Sequence, residues 1–256
     1  MIHPTAIIDP TAELADDVSV GPYSIVGPDV KIGKGTIIHA HVILKGPTTI
    51  GQENEIYQFS SVGEDTPDLK YNGEPTELII GDRNIIREGV TIHRGTIQDK
   101  GYTKIGDDNL IMAYAHIGHD SVVGNHTVLV NNVALAGHVD VGDWAILSGY
   151  TLVHQYCKIG EHAFLGFGSS VSKDVPAFVM ANGNPCQPFG INTEGLKRRD
   201  FSKEHISKIR RAYKIVYRQG HTLDEALALL SDMVDDCEAI QLLIDTLKSS
   251  TRGIIR

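Results

Sequence analysis

Ile105-Gly-Asp-Asp-Asn-Leu-Ile111-Met-Ala-Tyr-Ala-His-Ile117-Gly-His-Asp-Ser-Val-Val123-Gly-Asn-His-Thr-Val-Leu129 places an aliphatic residue at every sixth position. The same spacing continues through Leu135, Val141, Leu147, Val153, Ile159, Leu165 and Val171. It also runs upstream, from Ile2 through Ile8, Leu14 and Val20 to Ile56 and Val62, with a short run at Ile80, Ile86 and Ile92. A single hexad cannot bury its one aliphatic side chain. Three hexads make a triangular lap of 18 residues, and stacked laps about 4.8 Å apart place each aliphatic on the one 18 residues away. The spacing predicts a mainly β fold, a left-handed parallel β-helix of the hexapeptide-repeat kind.

The period breaks twice. Residues 64–75 are rich in turn formers, and Asp68 and Glu74 stand where aliphatics are due, so the chain leaves the coil near 63–79. The separation of Ile92 and Ile105 is not a multiple of six, which requires an insertion near 96–104. Loops on a rigid scaffold are the usual location of binding residues. After Val171, Pro176, Pro185 and Pro188 with Gly183 and Gly190 read as a connector. From Phe201 the period is helical: Ile206, Ile209, Tyr213 and Val216 share one face, Ser202 is the expected N-cap and Gly220 the stop. Thr222-Leu-Asp-Glu225 is a capping box that opens a second helix through Leu230, and a third is expected from about Glu238 to Lys248. The predicted organisation is a coil over 1–190 and a helical domain over 191–256 that covers the coil's end.

Composition narrows the function. The 256 residues are 41% hydrophobic and 21% charged, and no stretch approaches the ~20 apolar residues of a membrane span. The repeat starts at Ile2, so no signal peptide is expected. Cys157, Cys186 and Cys237 are odd in number and form no Cys-x-x-Cys pair, which suggests a reducing compartment, a cytoplasmic location and no structural zinc cage. A net charge of -9 argues against nucleic acid as the main partner. Between Lys197 and Arg218, however, nine basic residues face only Asp200 and Glu204. Such a segment suits an anionic ligand or an acidic protein, or is simply a solvated helix face.

The lap of 18 also sorts the 12 histidines. His119 and His138 differ by 19 and His138 and His154 by 16, so the three are expected nearly above one another on one edge, with His116 beside them. His126 and His162 differ by 36 and stack elsewhere with Trp144 between them, most simply as structural packing. For the first column three readings compete: a general base, a three-histidine zinc site, or polarity without a task. Asp120 beside His119, and the unhindered N–H of Gly137 one lap on, favour a base with an oxyanion donor. They are superfluous to a zinc site. No Ser or Cys nucleophile is coupled to these histidines. Cys157 reads as a small buried hydrophobe, so direct attack by a substrate hydroxyl or amine is expected.

At this level of detail the chain resembles the UDP-N-acetylglucosamine acyltransferases among the hexapeptide-repeat acyltransferases. The marks are Ile-His-Pro-Thr-Ala at 2–6, Asp-Leu-Lys-Tyr at 68–71, Gly-Glu-Pro-Thr at 73–76 and Thr-Ile-His-Arg-Gly-Thr at 91–96. Ala-His-x-x-His-Asp at 115–120, Asn-Asn-x-x-Leu-Ala-Gly-His at 131–138, Val-His-Gln at 153–155 and Glu-Gly-Leu-Lys-Arg-Arg at 194–199 complete them. The resemblance implies transfer of an (R)-3-hydroxyacyl chain from acyl carrier protein to the glucosamine 3-hydroxyl of UDP-N-acetylglucosamine, the first step of lipid A synthesis. It implies His119 as base, Asp120 as its orienting partner and the Gly137 N–H as oxyanion donor. His116, His138, His154 and Gln155 would line the sugar and acyl site, Asp68, Lys70 and His93 would join them, and Asn192, Glu194, Arg198 and Arg199 would lie near the nucleotide. It implies a homotrimer with sites between neighbouring coils, the basic segment docking the carrier, and neither cofactor nor metal. Phe167, in the column Ala113, Asn131, Gly149 and Phe167, would shorten the acyl groove to about 10 to 12 carbons. Asp120 and His119 are adjacent, and neighbouring strand residues point apart, so their pairing requires a corner. Rival readings are the related N-acyltransferase, which usually carries an extra N-terminal domain, a zinc hydratase of the γ-carbonic-anhydrase type, and a non-catalytic scaffold.

Overall fold

The computed structural model describes all 256 residues. The repeat forms three parallel sheets, one for each side of a left-handed prism, of nine, eight and ten strands. Most strands are only two residues long, an outward residue followed by the buried aliphatic. Alternation along a strand makes this the minimum unit that puts one side chain in the core and one in solvent. Registers follow the lap: Ile8 pairs with Val26, Val26 with Leu44 and Leu44 with Val62. On the next side Ile86, Ile111, Leu129 and Leu147 do the same. From Val26 onward these side chains belong to one continuous core of 58 residues, with Ile8 packed against it, and each fully buried aliphatic contributes roughly 1.5–3 kcal/mol.

Two laps are longer. Val62 pairs with Ile92 and Ile92 with Ile117, whereas in the uninterrupted coil Leu44 already meets Val62 and Ile117 meets Leu135. The first insertion is the longer of the two, and both leave from the same region of the coil. The chain re-enters after each on longer strands, Glu77–Ile80 and Tyr102–Ile105, which pair along their whole length. A buried asparagine ladder ties the long laps together. Asn54 Oδ1 accepts from the N–H (2.9 Å) and Nδ2 (3.0 Å) of Asn84. Asn84 Oδ1 in turn accepts from the N–H (3.0 Å) and Nδ2 (2.9 Å) of Asn109. Each amide thus supplies the partner that a buried polar group requires.

The prism turns at left-handed residues. Asp120 (φ 58°), His138 (φ 64°) and Tyr156 (φ 64°) mark one corner, and His126, Trp144, His162 and Phe178 mark the next. For residues other than glycine this conformation costs roughly 1–2 kcal/mol each. Stacked rings accompany it: His126, Trp144, His162 and Phe178 lie nearly parallel in sequence, with centroids 4.1, 6.4 and 5.5 Å apart.

The coil does not stop at Val171, and the proline-rich stretch is more than a connector. Val179–Asn182 adds a parallel strand beside Phe164–Leu165, and Gln187–Ile191 returns antiparallel to it. Pro188 is tolerated because this is the outermost strand, where a ladder N–H can be missing. Four helices follow: α1 (Thr193–Arg198), α2 (Lys203–Tyr217), α3 (Leu223–Ser231) and α4 (Ile240–Ser249). Ser202 caps α2, and the Thr222–Glu225 capping box opens α3. Helix α1 was not legible, being too short to show a period. Ile254 and Ile255 are buried, and Ile254 bridges back to Asp174, so the tail is pinned to the last lap. No helix is long and apolar enough to cross a membrane.

Leu129 is fully buried, whereas the outward Ile85 is 39% exposed. Leu129→Ala should therefore lower unfolding free energy in urea by roughly 2–5 kcal/mol, and Ile85→Ala by less than about 1 kcal/mol. Equal losses would contradict the inward ladder as the source of stability.

Candidate active site

The corner at Asp120 creates the central pairing. In a straight strand His119 and Asp120 would diverge, but the left-handed turn at Asp120 brings them to one side, and His119 Nδ1 lies 2.8 Å from Asp120 Oδ2. The second insertion folds over this carboxylate. Thr96 N–H (3.0 Å) and Thr96 Oγ1 (2.7 Å) both donate to it, and Thr103 Oγ1 accepts the Asp120 N–H at 2.9 Å. Lys100 Nζ donates to the Asp120 carbonyl (3.0 Å) and to Asp140 (2.9 Å). Burial pushes the Asp120 carboxyl up, but the bonds from His119 and Thr96 outweigh it, and the group stays below the usual carboxylate range. With Asp120 ionised and accepting, Nδ1 of His119 is the protonated nitrogen and Nε2 carries the lone pair.

That Nε2 faces Gly137. A Cβ at residue 137 would lie 2.5 Å from it and 2.6 Å from Cε1 of the same ring. The Gly137 N–H has no acceptor in the protein, as is also true of the equivalent N–H groups of His119 and Gln155 at this corner. At Gly137 the free donor adjoins a histidine nitrogen with no side chain of its own in between.

Three more predicted residues gather around this pair. The His138 ring meets His119 edge-on at 4.8 Å and stacks face-on with Tyr156 at 4.3 Å. His116 lies on the adjoining face, its Nδ1 2.8 Å from Thr91 Oγ1, and His93 meets it edge-on at 5.3 Å. Burial, with His93 and His119 adding to it, pushes the His116 imidazole down to about 4. His93 Nδ1 bonds the Asp65 carbonyl at 2.7 Å, so the first insertion reaches the same cluster.

His154 corrects the expected file of three imidazoles. Leu135 pairs with Val153, which aligns His154 with Ala136 and not with His138; the residue above His138 is Tyr156. A difference of 16 leaves His154 two places short of the corner, exposed, with Nδ1 bonded to the carbonyl of its neighbour Gln155. Asp68 and Lys70 remain out on the first insertion, where the Asp68 carboxylate accepts the Lys70 N–H at 2.9 Å.

The connector residues sit at a different corner. Asn192 caps α1 through the Gly195 N–H (3.0 Å) and donates Nδ2 to the His162 carbonyl (3.0 Å). Arg199 lies over the Trp144 ring at 5.0 Å, 3.1 Å from His162 Nδ1, and donates to the Trp144 carbonyl at 2.9 Å. Burial and the Arg199 charge push His162 down to about 4. Glu194 pairs with Lys197 at 2.8 Å in solvent, and Arg198 is exposed. A strand face therefore separates these four residues from His119 within one chain. In the basic segment Lys208 is tied to Glu204, while Lys203, Arg211, Lys214 and Arg218 are exposed. Phe167 is 74% exposed at the third corner, edge-on to Tyr150 at 5.5 Å.

Sequence reasoning missed Thr96, Asp99 and Lys100, and also Arg94, whose guanidinium joins the insertions by donating to Asp65 and to Tyr71 Oη. Insertions break the count that identifies neighbours, so no spacing pointed to them. Ligand atoms of His119, Asp120 and His138 lie within 4.8 Å of one another, close enough to suggest a metal cluster. Each of the three is already committed to a hydrogen bond, His138 Nδ1 to Asp99 and His119 Nδ1 to Asp120. A metal held through either Nδ1 would have to break one of these bonds, whereas both Nε2 atoms are left without a partner. The buried Cys157 thiol is pushed up to about 11 by burial, far from a nucleophilic thiolate.

Known proteins resemble this chain along its whole length. The family described as Udp N-acetylglucosamine O-acyltransferase, Domain 2, matches residues 174–255, and the bacterial transferase hexapeptide family matches 11–46 and 102–137. The chain is 64% identical over all of its length to an acyl-[acyl-carrier-protein]–UDP-N-acetylglucosamine O-acyltransferase of Stutzerimonas stutzeri, covering 99% of that protein. It is 66% identical to the Pseudomonas aeruginosa protein of the same name, with the same coverage. The solved UDP-N-acetylglucosamine O-acyltransferase of Moraxella catarrhalis superimposes with a TM-score of 0.99 at 50% identity, covering 100% of this chain and 99% of that one.

His116 and His162 both sit at about 4, against an ordinary 6.5. Above 6.5 each is neutral in the folded and unfolded chain. Between 6.5 and 4 only the unfolded chain takes up these protons, so stability falls as pH drops through that window. The slope of unfolding free energy against pH should be shallower there for His162→Phe than for the unsubstituted chain; parallel curves would contradict the assignment.

Proposed function

The chain belongs to the UDP-N-acetylglucosamine O-acyltransferase family, and from that premise we propose that it transfers a 3-hydroxyacyl group from acyl carrier protein to the 3-hydroxyl of UDP-N-acetylglucosamine, opening lipid A synthesis in the cytoplasm. The observation that carries the mechanism is the His119–Asp120 corner facing the free N–H of Gly137. His119 Nε2 takes the proton of the sugar hydroxyl as its oxygen attacks the thioester carbonyl. Asp120 holds the ring in the required tautomer and stabilises the imidazolium. The carbonyl oxygen becomes an oxyanion, which accepts from the Gly137 N–H. Collapse breaks the C–S bond, and the imidazolium returns its proton to the departing thiolate. No covalent enzyme intermediate is required.

The remaining predicted residues take places around this reaction. His116, neutral at working pH, and His138 line the sugar and acyl groups with His93, His154 and Gln155, and Asp68 and Lys70 close over them from the first insertion. Asn192, Glu194, Arg198 and Arg199 occupy another corner of the prism, so they reach the nucleotide most simply from a neighbouring copy. This supports a homotrimer with sites between coils. The exposed basic side chains of α2 suit an acidic carrier protein.

His119→Ala should lower kcat by about 10²–10⁴-fold with little change in thermal stability. Unimpaired transfer by that variant, assayed with UDP-N-acetylglucosamine and 3-hydroxyacyl carrier protein, would favour a scaffold role instead.

Acyl length rests on Phe167. A chain leaving His119 across the face that carries Ala134 and the exposed Leu152 meets the Phe167 ring at the far corner. A donor of about 10 to 12 carbons is preferred on this reading, and Phe167→Gly should move the preference toward 14. If the unsubstituted enzyme transfers the 14-carbon donor fastest, Phe167 does not set the depth.

A further inference from the structure

Asp99 lies on the second insertion, far from His138 in sequence, yet its Oδ2 is 2.6 Å from His138 Nδ1. The His138 side chain is 8% exposed and that of Asp99 37%. The ring is otherwise held only by contact, flat against Tyr156 and edge-on to His119, and the Asp120 carboxylate stands off at 3.9 Å. Nothing in the protein bonds His138 Nε2. Stacking fixes the plane of an imidazole but leaves it free to flip within that plane. A carboxylate on one nitrogen removes the ambiguity, because it accepts only from N–H.

The insertion does not depend on this bond for its own position. Thr96 and Lys100 tie it to Asp120, Lys100 ties it to Asp140, and the Gly101 N–H closes it on the Thr96 carbonyl at 2.9 Å. The Asp99 carboxylate is therefore surplus to anchoring and is left to serve His138.

We propose that Asp99 is a positioning residue of the acyl-transfer site: it holds His138 with Nδ1–H toward the insertion and Nε2 toward the substrate, forming a second carboxylate–histidine pair beside His119–Asp120. The inference rests on the acyltransferase reading above, in which His138 lines the sugar and acyl site. The two insertions thereby differ in task, since the first bonds His93 through a backbone carbonyl and the second grips His138 through a side chain.

Steady-state kinetics with UDP-N-acetylglucosamine and 3-hydroxyacyl carrier protein test it through Asp99→Ala, Asp99→Asn, His138→Ala and the Asp99→Ala/His138→Ala double variant. Asp99→Ala should lower kcat/KM roughly tenfold, the size expected for losing one hydrogen bond to a charged group. Asp99→Asn, which keeps an acceptor oxygen, should recover most of it. The double variant should be no worse than His138→Ala alone, because Asp99 acts through that ring. Additive losses, or an Asn variant no better than Ala, would overturn the proposal. Nitrogen NMR of the His138 ring gives a readout independent of turnover. The Nδ1–H tautomer should dominate in the unsubstituted protein and be lost in Asp99→Ala; the same tautomer in both would overturn it as well. Absence of transfer by the unsubstituted enzyme counts against the acyltransferase reading, while the ring measurement still decides the pairing.

Discussion

Every lap must return its aliphatic residue to the place above the last one, and the rest of the structure is arranged around that demand. A strand of two residues has almost no stability of its own. It persists because its buried side chain lands on an identical site above and below and its backbone pairs in both directions. Misplacing the chain by one residue would turn an isoleucine outward and a polar residue inward. Surplus residues must therefore leave the coil and return in register. Both insertions do this, and the asparagine ladder supplies internal partners along the laps they interrupt.

The corners convert this regularity into chemistry. A left-handed residue swings its side chain away from the alternation of the flanking strands, so neighbours in sequence can point together. His119 and Asp120 meet for this reason, and Trp144 and His162 stack along their corner for the same one. The corner N–H groups also escape the strand ladder. At Gly137 such a donor is free, and the space a side chain would fill belongs to the His119 ring.

What the sequence revealed follows the same division. The fold was legible because one period, sustained over many laps, has few physical readings. Counting by 18 also brought His119, His138 and Gly137 together correctly. It failed for His154, where falling two places short is enough to leave the corner. It was silent on Thr96, Asp99 and Lys100, because an insertion has no lap position and its contacts depend on a path that no period encodes. Asn192 and Arg199 were recognisable as motif residues, but their bonds to the His162 and Trp144 corner became visible only in three dimensions. Helix α1, at six residues, is shorter than any window that could have detected it.

The unequal length of the two insertions has a further meaning. Because the coil resumes its register whatever the excursion, the frame that holds His119 is insulated from changes in loop length. Segments such as 64–76 or 94–101 could be swapped, shortened or extended in descent or by design, and the tooling they carry would change while the spindle beneath kept its pitch. The architecture thus separates the part whose count must stay fixed from the part free to explore chemistry.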